Sequence, residues 1–286
     1  MADIILGTVQ FGLDYGINNV SGKPGKENVF EILNYAYQSG ISTLDTAQAY
    51  GDAEEMIGSF HIDTDLSFRI NTKFNGVTGQ SIENIIEERL KKLNIKNIHT
   101  LFYHTYAEYE SNPGLLNDIE ELKKNKLVDN IGVSVYTNKE LEHVINSKAV
   151  DTIQLPFNLL DNISQRGFLL QKAKQANKFI QVRSVFLQGL FFRKIELLPA
   201  VLHPLKPYLK KLAAIVKETG NSIESLSLQY VNAQPDIDEI IIGVDTKEQL
   251  QRNMEVINKP IEKEALEIIN NIHVKETELL YPYNWK

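Results

Sequence analysis

The stretch Ile5–Gly12, ILGTVQFG, follows the first β-branched run of the chain and decides which parallel-sheet architecture the rest can build. In an open doubly-wound sheet, that position carries a GxGxxG turn holding a phosphate at a helix N-terminus. Here the turn reads Gly7-Thr8-Val9-Gln10-Phe11-Gly12, without that spacing. Outward from it, short apolar runs recur at Ile4–Gly7, Ile41–Leu44, Phe68–Thr72, Ile98–Tyr103, Ile131–Ser134, Thr152–Leu155, Phe179–Ser184 and Glu239–Ile242. Amphipathic stretches lie between them. Ile82, Ile85, Ile86, Leu90 and Leu93 mark one helical face, and Leu115, Leu116, Ile119 and Leu122 another. Asn138 and Ser222 read as helix caps. Alternating strand and helix units imply a parallel sheet. Eight of them in about 250 residues predict a closed (β/α)8 TIM barrel, an α/β fold in one domain spanning 1–286.

Two stretches depart from the regular unit. Between the seventh and eighth strands, Gly189–Pro207 holds Pro199, Pro204 and Pro207 and reads as a long functional loop. After Asn258, a further helix is expected over Pro260–Ile272, followed by the tail YPYNWK.

Composition narrows the function. The 286 residues are 43% hydrophobic and 23% charged, which suits a globular core. With no cysteine, thiolate chemistry and zinc–thiolate sites are excluded. A formal charge of −7, without clustered Lys and Arg, points away from nucleic acid. No apolar run approaches the ~18 residues of a membrane helix, and MADIILG does not resemble a signal peptide. The chain therefore reads as a cytoplasmic protein with no membrane partner. The six histidines show neither HxH nor HExxH spacing, so no metal site is assigned.

In a barrel, chemistry sits at the C-terminal ends of the strands. The second strand runs into LDTAQAYG, with Asp45 and Tyr50; the third ends NTKF, with Lys73; the fourth ends FYHTY, with His104. Singly, these read as a turn cap, a packed ring, a lysine reaching water and a half-buried histidine. Together they place four proton-handling groups after three consecutive strands, which lie about 5 Å apart. A tyrosine gives up its proton poorly near neutrality, with a pKa of ~10. A neighbouring ammonium is expected to lower that value, with Asp45 holding the ammonium in place. His104 is expected to hydrogen-bond the same substrate oxygen. Such a set suits protonation of a carbonyl oxygen while hydride reaches the carbon, and the hydride must come from a cofactor.

On these motifs, from LGTVQFG to the tail, the sequence resembles the aldo-keto reductase superfamily. The resemblance implies a (β/α)8 barrel, a nicotinamide cofactor, a small-molecule carbonyl substrate, and Asp45, Tyr50, Lys73 and His104 as catalytic residues. By the same resemblance, Gly7 and Thr8 lie beside the nicotinamide, and Ser134 and Gln154 bind its carboxamide. VRSVFLQGL, with Arg183 and Ser184, crosses the cofactor; Gly243, Thr246, Gln249 and Asn253 hold the adenosine phosphate. NADPH is the expected cofactor, with NADH the second option, because Gln249 stands where an arginine is frequent and Asp245 adds negative charge.

Two further departures are Arg183, where members often stack an aromatic ring, and a first strand at about Ile4, which leaves no room for the family's N-terminal hairpin across the barrel floor. Gln10, Phe11, Asp14, Tyr15, Tyr103, Tyr106, Phe157 and Phe186 are candidates to line a substrate pocket, and a polar aldehyde or sugar would suit them. A rival reading is a cofactor-binding regulatory or structural partner with little turnover.

Overall fold

The structure, a computed structural model, describes residues 2–19, 22–76 and 79–285. Eight strands close in sequence order: β1 Asp3–Gly7, β2 Thr43–Asp45, β3 Arg69–Phe74, β4 Ile98–Tyr103, β5 Val128–Ser134, β6 Thr152–Pro156, β7 Phe179–Arg183 and β8 Glu239–Gly243. All pairs are parallel, and β8 closes on β1 with Asp3 opposite Glu239 and Gly7 opposite Gly243. The fold is therefore the expected (β/α)8 barrel in one domain.

The outward side chains explain the closure. Leu6, Leu44, Ile70, Leu101, Val133, Ile153, Val182 and Ile240 are buried in one continuous core with helix residues such as Ile32, Ile57, Ile86 and Leu141. Local chemistry sets the helix ends. Ser81 caps Ile82–Leu93, and Asn94, at φ 52, ends it in the left-handed region. Ser222 caps Ile223–Asn232 as expected. The Asn138 expectation moves by one residue: Thr137 is the cap, in a reciprocal box with Glu140, because its hydroxyl takes the Glu140 N–H.

The segment after β7 is more ordered than a loop. It winds through 3₁₀ turns over Leu187–Phe192, Ile195–Leu197 and Ala200–Leu205, whose Leu187, Leu190, Leu202 and Leu205 are buried. The prolines interrupt backbone hydrogen bonding but leave these short turns intact. The late helix is Lys263–Asn270, shorter than Pro260–Ile272. The tail does not reach the barrel floor. Tyr281 and Tyr283 pack on Tyr136, just after β5, at ring distances of 5.5 and 4.9 Å, so it lies at the strands' C-terminal end. The floor instead holds a polar cavity of about 920 Å³ lined from strand starts by residues including Asp3, Arg69, His99 and Glu239.

Candidate active site

Asp45 and Lys73 are the last and the penultimate residues of their strands, β2 and β3, and both side chains are almost fully buried. Lys73 Nζ donates to Asp45 Oδ2 at 2.5 Å and to the Thr46 carbonyl at 3.1 Å. Pairing and hydrogen bonding offset the high cost of burying two charges. Gln154 Nε2 of β6 donates to Asp45 Oδ1 at 2.9 Å. Since β6 and β2 are not neighbours in the barrel, that bond crosses its interior.

Tyr50 follows in the turn after β2. The turn is held by Gly12 and Gly51, where two loops meet backbone to backbone. A Cβ on Gly12 would lie 1.8 Å from the Tyr50 carbonyl oxygen, and one on Gly51 2.3 Å from Gly12 O. Gly51 also has φ 55, which favours glycine. The Tyr50 ring lies 5.3 Å from Lys73 Nζ and meets the His104 ring edge-on at 5.9 Å. His104, just after β4, places Nδ1 2.6 Å from Asn75 Oδ1. The structure thus brings all four predicted groups to one end of the barrel.

Their electrostatics differ from the sequence expectation in one respect. Burial, then the charge of Asp45, holds the Tyr50 phenol well above its ordinary value, while Arg183 pulls it down. The downward pull thus comes from Arg183 and not from Lys73, whose ammonium pairs with Asp45 at 2.5 Å. Lys73 itself is lowered by burial, with Asp45 opposing. His104 is pushed down to about 3 by burial, then by Lys73 and Arg183.

Of the other predicted residues, Gly7 and Gly243 face each other at the same end, leaving both strands bare of side chains there. Thr8 donates its hydroxyl to the Asp45 carbonyl at 3.1 Å. Ser134 pairs with Gln154 across β5 and β6 and accepts from Arg183 Nη2 at 3.4 Å. Arg183 lies 4.2 Å from the Tyr136 ring centre, in a cation–π contact. Ser184 follows at φ 61. Thr246 caps the helix Lys247–Val256, which carries Gln249 and Asn253. There the Thr246 hydroxyl caps Gln249 N–H, and Gln249 Oε1 accepts from Asp245 N–H at 2.7 Å. Three of the pocket candidates are core instead. Phe11, Tyr103 and Phe157 are fully buried, the last stacked on Tyr230 at 5.9 Å.

Several contributors escaped the sequence reading. Asn75 and Tyr136 lie just beyond strand ends. Gln181 and Glu239 sit at inward positions of β7 and β8; Gln181 shares its parity with Arg183, which was a usable signal. The residues present fit a nicotinamide in one respect: Gln154 Oε1 is buried without a partner, an acceptor that an amide N–H would satisfy. Among the described residues, no group of three or more His, Asp or Glu is placed to hold a metal ion, and no helix is long and apolar enough to cross a membrane.

Comparison with known proteins adds relatives to this geometry. The model of the Aldo/keto reductase family matches residues 3–274. Norsolorinic acid reductase B of Aspergillus parasiticus is 26% identical over 154 residues, covering 47% of this chain and 40% of that relative, so the chain spans well under half of its length. L-galactose dehydrogenase of Arabidopsis thaliana is 22% identical over 266 residues, 85% of this chain and 82% of its own. Among solved structures, an aldo-keto reductase from Bacillus halodurans in its holo form superposes with a TM-score of 0.75 at 18% identity, over 95% of this chain and 92% of that one.

Proposed function

The chain belongs to the aldo/keto reductase family, and from that premise we propose that it is an oxidoreductase using NAD(P)H to reduce an aldehyde or ketone to an alcohol. The observation that carries this reading is the assembly of Tyr50, His104 and the Lys73–Asp45 pair at one end of the barrel. A reduced nicotinamide, when bound, supplies hydride to the carbonyl carbon. Tyr50 gives its proton to the carbonyl oxygen. Its raised proton affinity keeps that proton in place at neutral pH, and the positive charge of Arg183 favours the phenolate left behind. Asp45 fixes Lys73. His104 is neutral and, with Nδ1–H turned to Asn75 Oδ1, its Nε2 accepts from a substrate hydroxyl beside the carbonyl.

Gln154 and Ser134 are the proposed ligands of the carboxamide, with Gly7, Thr8 and Gly243 giving close approach. Arg183 and Ser184 are proposed beside the cofactor, and Thr246, Gln249 and Asn253 at its adenosine end. NADPH is the proposed form, with NADH as the alternative. A polar aldehyde or a sugar is the proposed substrate class, supported by the L-galactose dehydrogenase relative and by the polar Tyr15–Gln188 contact of 3.0 Å at the loop after β7. The intact four-group set favours turnover over a silent binding role.

The test is Tyr50→Phe assayed against a panel of aldehydes, ketones and keto-sugars by loss of reduced-cofactor absorbance. Turnover is expected to fall about 10²–10⁴-fold, with the cofactor Kd changed less than about threefold. Turnover near the parental value would overturn the assignment.

A further inference from the structure

Five buried polar side chains form an unbroken run from the barrel floor to the candidate site. Gln181 Nε2 donates to Glu239 Oε2 at 2.6 Å. Gln154 Nε2 donates to Gln181 Oε1 at 3.2 Å and to Asp45 Oδ1 at 2.9 Å. Lys73 Nζ closes the run on Asp45 Oδ2 at 2.5 Å. None of the five is more than 4% exposed. The residues come from β8, β7, β6, β2 and β3, so the run crosses the barrel interior.

Two acids stand in this run, and as carboxylates they give it a direction. A carboxylate only accepts hydrogen bonds. Glu239 therefore takes an N–H from Gln181, which turns Gln181 Oε1 toward Gln154. Gln154 must serve that oxygen and Asp45 Oδ1 together, which uses both hydrogens of its Nε2. Its Oε1 is left buried and unpartnered. The amide at the candidate site is thus anchored twice, by Asp45 beside it and, through Gln181, by an acid at the opposite end of the barrel.

We propose that Glu239, as a carboxylate on the barrel floor, is a positioning residue that locks Gln181 and Gln154 so that Gln154 presents an oxygen acceptor to the amide N–H of a bound nicotinamide. This rests on the cofactor reading above. Protonated Glu239 can instead donate to Gln181 Oε1. Gln181 then reverses and presents N–H to the N–H of Gln154, while Asp45 still demands a donor from Gln154. Gln154 keeps its bond to Asp45 but loses the one to Gln181, so its amide is anchored by one hydrogen bond instead of two and Oε1 is held less firmly. The charged groups around Glu239 are Asp3 of β1, Arg69 of β3 and Asp238 before β8, with His99, Lys148, Asp151 and Lys178 across the floor cavity. Burial raises its carboxyl to about 7, Arg69 opposing and Asp3 and Asp238 assisting, so the switch falls near neutrality.

The experiment compares binding of NADPH with that of its reduced 3-acetylpyridine analogue, whose methyl ketone has no N–H to give Gln154. Dissociation constants are measured by tryptophan fluorescence from pH 5.5 to 8.5 for the parent and for Glu239→Gln. In the parent, the preference for NADPH over the analogue is expected to rise about tenfold as pH increases through 7. In Glu239→Gln, which accepts or donates indifferently, that preference is expected to fall about tenfold at pH 8 and to lose its pH dependence. The analogue's affinity stays within about twofold of the parent's, which also reports an intact fold. Equal loss of affinity for both dinucleotides, or no change in either, would overturn the proposal. A parent that binds neither would overturn the cofactor reading and this proposal with it.

Discussion

Lys73 holds Asp45 at 2.5 Å while its ammonium stands 5.3 Å from the centre of the Tyr50 ring, so the buried ion pair lies directly against the proposed acid. Lys73→Met removes the cation and leaves Asp45 buried without its ion partner. Breaking such a pair costs about 3–5 kcal/mol, and the melting temperature is expected to fall by roughly 6–10 °C. Asp45→Asn added to Lys73→Met should recover part of the melting temperature by removing the stranded charge, with turnover still depressed by about a hundredfold or more. Thermal melts and kcat for the single and double variants check this. Recovery of both quantities together would mean that the pair is structural only.

His104 should stay uncharged throughout the ordinary working range. Its pKa is pushed down to about 3, so the imidazole gains a charge only as pH falls through that value. Asn75 Oδ1 accepts from Nδ1–H at 2.6 Å, which leaves Nε2 as an acceptor. Nitrogen–proton correlation spectra are expected to show the Nδ1–H tautomer of His104 from pH 5.5 to 8. Asn75→Leu should release this tautomer and lower kcat/KM by about tenfold. An inflection near pH 6.5 in the parental profile, absent in His104→Gln, would contradict the expectation.

The barrel was legible because its outward faces are apolar at a spacing only strands and helices satisfy. The four-group set was legible because Asp45, Lys73 and His104 stand at or just beyond strand ends, where a charge interrupts an apolar run. The β2 boundary was misplaced, since Ile41 continues the apolar run although the pairing begins at Thr43. Gln181 and Glu239 were missed for a different reason. A polar residue inside a short strand looks like ordinary variation until the closed barrel brings β6, β7 and β8 together. The turns after β7 were misread because prolines signal irregularity, while the buried leucines between them signal packing.

The Gly12–Tyr50 contact predicts a steric defect with a catalytic readout. In Gly12→Ala the new methyl would meet the Tyr50 carbonyl oxygen and the Ala53 nitrogen, backbone atoms that cannot rotate away. Overpacking of this kind costs about 1–3 kcal/mol, a drop of roughly 2–6 °C in melting temperature. Because the displaced backbone carries Tyr50, kcat should fall more than cofactor affinity. Unchanged kcat in a destabilised variant would show that Tyr50 keeps its place without this contact.

Asp245 bears on the choice between NADPH and NADH. Its carboxyl is raised by burial, its Oδ1 is buried without a partner, and it directly precedes the cap residue Thr246. A carboxylate near an added phosphate is unfavourable, whereas a hydroxyl is not. Asp245→Ser is expected to improve the Kd ratio of NADPH over NADH by about tenfold, read by fluorescence titration of both. An unchanged ratio would place the 2′-phosphate elsewhere.

Glu239 also predicts how stability depends on pH. Its carboxyl is raised from 4.5 to about 7 in the folded chain, first by burial. Between those values the folded protein keeps a proton that the unfolded chain has released. This contribution to stability is fully present below about 4.5 and is lost as pH rises through about 7. Glu239→Gln removes that term, since an amide carries no titrating proton. Its melting temperature relative to the parent should therefore climb between pH 5 and pH 8, by an amount on the order of 3–6 °C if two to three kcal/mol are involved. Calorimetry or circular dichroism melts at half-unit pH steps check the slope. A difference that stays constant over that interval would show that Glu239 titrates in the folded protein as it does in the unfolded chain.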